Sequence, residues 1–126
     1  MQLEHEEAMR SDFREQAALH ERIYVAGVTL DEIKECFSKG REIHGRWISG
    51  PHAEQWRWLF DVYNDFRSRP ETMERIVDDV EFNRAHGCDR GLDEVQYRSL
   101  MQARELTAPD GKHTRPRTRG QISRER

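Results

Sequence analysis

Long apolar runs are missing from this chain. No stretch approaches the ~18 consecutive apolar residues of a membrane-spanning helix, so no membrane partner is expected. Cysteine is scarce, with only Cys36 and Cys88. Two widely spaced cysteines do not make a disulfide framework. A reduced, cytoplasmic setting is expected, with both thiols as small buried hydrophobes. The opening MQLEHEEAMR is acidic and has no apolar stretch of the kind a secretory leader needs, so no leader is expected. No five-residue window alternates cleanly between apolar and polar, and no Asn-Gly pair occurs, so strands are not expected.

Catalytic motifs are equally scarce. The segment GRWISGP lacks the Lys-Ser/Thr pair that would reach phosphates and magnesium. No Gly-x-Ser-x-Gly elbow occurs. No Glu stands three residues before a His, which removes the Glu-x-x-His of carboxylate di-iron bundles. Glu32 with Glu35, and Glu71 with Glu74, give half of a magnesium-holding pattern, but no Glu stands three residues before an Asp. His86 and Cys88 would supply two metal ligands at most, with Cys36 and His44 the other mid-chain candidates. A zinc site wants tight pairs twice over. Asp78, Asp79, Glu81 and His86 are the residues a metal-dependent enzyme would have to use. Cys36 shows no positioned base to activate it. The expectation is no metal, no cofactor and no enzyme.

What the chain does have is charge. Charged residues make up 36% of its 126 residues and hydrophobic ones 35%. A chain of this length buries about two-thirds of its unfolded surface, enough for one core. The net charge is −3, but it is unevenly spread. Residues 111–126 hold six Lys/Arg and one Glu, while the other 110 residues hold 15 basic and 23 acidic groups. An acidic body therefore carries a basic tail.

Helical periodicity runs through the body. The first helix is expected over about residues 3–24, on Met9, Phe13, Ala17, Leu19 and Ile23, with Glu4, Glu6 and Glu7 in an opening turn where the dipole favours anions. Thr29 and Glu32 form a capping box for the next helix. Its apolar series Leu30, Ile33, Phe37, Ile43 and Trp47 is interrupted by Gly40, so one weak helix or two short ones are expected. The third starts at Pro51 and runs to about Ser68. The fourth starts at Pro70 and stops near Gly87. The fifth spans about 91–106, with Asp89 as its expected cap. The fold class is all-α: about five helices in a small compact bundle over residues 1–108. Residues 109–126 are expected to be a flexible basic tail, having almost nothing to bury.

Five of the eleven aromatic residues fall in QWRWLFDVYNDF, residues 55–66. Trp56, Leu59, Phe60, Tyr63 and Phe66 share a stripe about 120° wide, as a core-facing side requires. Trp58 lies about 200° round from Trp56, with Val62 near it and Asp61 and Asp65 alongside. Either this is the central helix, covered on two faces, or Trp58 marks an interface.

Two function classes follow. The first is a non-enzymatic regulator or inhibitor that binds a protein partner stoichiometrically through an acidic helical surface. Trp58, Asp61, Val62 and Asp65 are its expected contacts, and a homodimer is plausible. The second is a nucleic-acid-binding accessory or transcriptional regulator. Residues 29–48 would give a helix-turn-helix-like segment with Gly40 in the turn, presenting Arg41 and Arg46. Lys112, Arg115, Arg117 and Arg119 of the tail would meet phosphates.

Overall fold

The computed structural model describes residues 1–88 and 91–108. It contains five helices: α1 (Leu3–Arg22), α2 (Leu30–Ile48), α3 (Ala53–Ser68), α4 (Pro70–Ala85) and α5 (Glu94–Leu106). No strand occurs among the described residues. The expected tail, with Lys112, Arg115, Arg117 and Arg119, and the expected cap Asp89 lie outside the described residues.

Local chemistry sets most helix ends. The Thr29 box forms as its sequence requires: Glu32 N–H donates to Thr29 Oγ1 at 3.1 Å, and Thr29 N–H donates to Glu32 Oε1 at 2.8 Å. A second box starts α5 at Asp93, paired with Gln96. Pro70 takes the first turn of α4. That helix ends in a Schellman turn. Cys88 N–H reaches Asn83 O at 2.7 Å and Gly87 N–H reaches Arg84 O at 3.2 Å. Gly87 there has φ 75°, a backbone that favours glycine.

Residues 30–48 form one continuous helix, with no turn at Gly40. The helix-turn-helix-like arrangement of this segment is therefore not formed. The reason lies in packing. Gly40 is buried where α2 lies against α1, with the Gln16 carboxamide over it. Gly45, one turn on, is exposed, and a Cβ there would meet nothing within 4 Å. Glycine in a helix interior costs about 1 kcal/mol relative to alanine. Gly45→Ala is therefore expected to raise the melting temperature by a few degrees. An unchanged or lower midpoint in thermal unfolding would show that this stretch is not held as helix.

Helix α3 is central. It packs against α2, α4 and, most extensively, α5, while α1 packs chiefly against α2. Trp56, Leu59, Val62, Tyr63 and Phe66 are buried, and Trp58 and Phe60 are half-buried against the same core. Covered positions therefore extend from Trp58 through Val62 to Phe60, about 200° and so slightly more than half the circumference. This is why a helix with apolar groups on two sides suits the middle of the bundle. From α1, Phe13 meets the α3 rings edge-on, at 5.2 Å from Trp56 and 5.3 Å from Tyr63. Val77 and Met73 of α4 and Leu100 and Ala103 of α5 complete the core.

Polar clips fix the periphery. Glu6, only 3% exposed, accepts from Arg10 on its own helix and from Arg98 on α5. Asp12 accepts from Trp47 Nε1 at 2.8 Å and from Arg46, tying α1 to α2. Arg104 pairs with Glu74, and Tyr97 donates to Glu81, tying α5 to α4. No helix among the described residues is long and apolar enough to cross a membrane.

Candidate functional site

An opening lies between α1, α2 and α3. It is a cavity of about 420 Å³. Gln16, Leu19, His20 and Ile23 give its α1 wall. Cys36, Phe37, Gly40, Arg41, His44, Gly45 and Ile48 give the α2 wall, and Phe60, Tyr63 and Asn64 close it from α3. Its existence follows from the packing just described. Phe13 of α1 packs on Phe60 and Tyr63, two of the α3 residues that line it, and two glycines leave α2 without side chains where it faces the gap.

The lining is apolar with a few hydrogen-bonding groups, the usual character of a ligand site. None of its 14 residues is acidic, although the chain carries 24 Asp/Glu. Trp56 Nε1–H donates to His44 Nδ1 at 2.9 Å. An indole only donates, so this hydrogen bond puts the proton of a neutral His44 on Nε2. Burial, and secondarily the Arg67 charge, push His20 below the usual histidine range. Burial pushes Tyr63 up. Both are neutral near pH 7, and Tyr63 keeps its hydroxyl proton. Gln16 Oε1 and His20 Nε2 are buried with no hydrogen-bond partner among the described residues, a state that costs about 1–3 kcal/mol per group. Cys36 is 5% exposed on the cavity wall.

The α2 wall continues outward as an apolar flank. Phe37 is 50% exposed and Leu30 65%. Helical spacing puts Leu30, Lys34, Phe37 and Arg41 on one stripe. Tyr24 and Val25, in the turn between α1 and α2, are 69% and 56% exposed. Half of the large hydrophobics left exposed on the described surface are therefore on this one segment. Lys34 and Arg41 make no ion pair among the described residues.

The residues expected from sequence are distributed otherwise. Asp61 is exposed, but Trp58 is half-buried against the core and Val62 is 7% exposed. Asp65 pairs with Arg69 at 3.5 Å. These four do not make an open face, because α3 is covered on the side that holds Val62. Arg41 lies on the cavity rim, and Arg46 is engaged with Asp12. Among the described residues no three His, Cys, Asp or Glu side chains gather closely enough to hold a metal ion. Glu81 is occupied by Tyr97, and His86 by Phe82 O and the Phe82 ring. Sequence reasoning missed the cavity. The available signal was Phe37, Arg41, His44 and Ile48 at helical spacing beside two glycines on one helix. No family model, curated protein or solved structure matches the chain significantly.

Proposed function

We propose that this chain is a non-enzymatic regulator that works by stoichiometric contact with a protein partner. The docking surface in this reading is the α1–α2 flank of Tyr24, Val25, Leu30 and Phe37. One observation carries it: a chain with few apolar residues leaves four large ones exposed along a single segment. Grouped exposed apolar side chains mark interaction sites, whereas scattered ones do not. Aromatic anchors of this kind dominate binding energy where they enter a partner's pocket. Lys34 and Arg41 on the same stripe give the flank a basic edge on an acidic body. A partner helix presenting apolar residues beside carboxylates would match it.

The test is a pair of charge insertions, Leu30→Glu and Phe37→Glu, in the full chain. Neither side chain belongs to the buried core. The helical circular dichroism and the melting temperature should therefore change little. Capture of a partner from the native lysate should be lost. A partner bound as tightly by the doubly substituted protein as by the unaltered one would refute the flank as the docking surface.

A further inference from the structure

The cavity behind the flank has its own chemistry. Its volume of about 420 Å³ falls within the range of small-molecule sites. Residues of three helices line it, and the exposed Arg41 is among them. Its polar side chains are Gln16, His20, Arg41, His44, Tyr63 and Asn64, none of them acidic. His44 offers Nε2–H and Tyr63 a hydroxyl, Gln16 offers an amide N–H₂, and Arg41 stands at the rim. None of these donors is used by another group among the described residues, and no carboxylate opposes them. An apolar chamber with these donors, a cation in its lining and no anion in its wall selects against cations. It leaves the negative head of an occupant unopposed.

From this geometry we infer that the α1–α2–α3 cavity binds a small apolar monocarboxylate, with the carboxylate held at the Arg41 and His44 end. The body of such a ligand, roughly ten carbons in this volume, lies against Leu19, Ile23, Phe60 and Ile48. Gln16 completes the head-group site by turning its carboxamide, whose two ends exchange by a half-rotation. The cavity shares Phe37 and Arg41 with the docking flank, while Tyr24, Val25 and Leu30 lie outside it. Binding here therefore bears on how the flank is presented, and a change at Leu30, outside the cavity, separates the two.

Isothermal titration of the full chain with sodium decanoate, 1-decanol and decylamine tests this. Decanoate should bind one to one, more tightly than the alcohol, and decylamine should not bind. Arg41→Gln should weaken decanoate roughly fivefold and leave decanol unchanged. Gly45→Leu should abolish binding of both. A Cβ at residue 45 meets nothing within 4 Å and residue 45 lines the cavity, so a leucine there clashes with nothing at Cβ and its side chain competes for the cavity space; helical circular dichroism checks that this variant folds. Decanoate and decanol binding equally, or decanoate binding undiminished in Gly45→Leu, would overturn the proposal. So would no decanoate binding together with loss of partner capture in Gly45→Leu. That pattern would assign the cavity to a side chain of the partner. Leu30→Glu, which disables the flank, should leave decanoate affinity as it was. The two readings therefore fail separately.

Discussion

Replacing Glu6 by Gln is expected to cost the folded protein about 3 kcal/mol at neutral pH. Glu6 is 3% exposed, and its two oxygens take charged hydrogen bonds from two helices. Arg98 Nε and Nη2 reach it at 2.7 and 2.8 Å, and Arg10 Nη2 reaches it at 2.6 Å. The Arg98 hydrogen bonds, helped by Arg10 and opposed by burial, pull its carboxyl from the ordinary 4.5 down to about 2. Arg10 is further committed to Ser99 Oγ, Gln102 Oε1 and Val95 O, so it cannot swing into water when the carboxylate goes. A buried guanidinium left without its anion is what makes removal of one partner costly.

The same network fixes the response to acid. A depressed carboxyl stabilises the fold above its unfolded pKa and stops doing so as pH falls through the folded one. For Glu6 that window runs from 4.5 down to about 2. Urea unfolding of the two proteins should differ by about 3 kcal/mol at pH 7, by roughly half that at pH 3, and by less than about 0.5 kcal/mol at pH 2. A difference that stayed constant over this range would mean the loss is one of packing and not of charge. Midpoints converging at pH 5 would place the carboxyl at its ordinary value and remove the network from the energetics.

Glu6 also shows where reading the chain by itself stops. In sequence it is one of three acids in the opening turn of a helix, and the dipole explains all three equally well. What singles it out is Arg98, which only the docking of α5 on α1 brings near. Features determined within a few residues were legible: the Thr29–Glu32 box, Pro70 opening α4, Gly87 closing it, and the aromatic stripe of α3. For α5 the expected span is about 91–106 with Asp89 as cap, whereas Asp93 and Gln96 form a box as regular as the first and start the helix at Glu94. Glycine disfavours helix, so Gly40 by itself suggests a turn, whereas in the fold it is buried under Gln16 where α2 lies close to α1. Trp58 and Val62 gave the pattern of a helix covered on two faces, yet periodicity does not say whether the second cover is a neighbour or solvent. The cavity was the least legible feature, since its walls come from three helices.

Phe13→Ala is expected to cost the fold about 4 kcal/mol. The side chain is fully buried. Its neighbours are all edge-on: Trp56 at 5.2 Å and 71°, Tyr63 at 5.3 Å and 79°, Phe60 at 6.2 Å and 81°. Perpendicular pairs of this kind add about 0.5–1.5 kcal/mol beyond the apolar area buried. Truncation removes them together, because one ring makes all three. It also leaves a void between α1 and α3 that the flanking helices cannot easily close, since Trp56 is held by His44 and stacked 5.6 Å from Trp47. Small domains have about 5–15 kcal/mol in total, so the variant should unfold at much lower urea concentration. Phe13→Leu keeps most of the volume and loses the ring contacts, and should cost about half as much. The comparison separates filling from geometry. If leucine costs as much as alanine, the edge-on arrangement carries the stability. If leucine costs nothing, the site needs only volume. A loss below about 1 kcal/mol for alanine would show that α1 and α3 collapse together without the ring. The cavity between α1, α2 and α3 should then shrink, and its ligand affinity with it, because the Phe13 ring packs on Phe60 and Tyr63, which line that space.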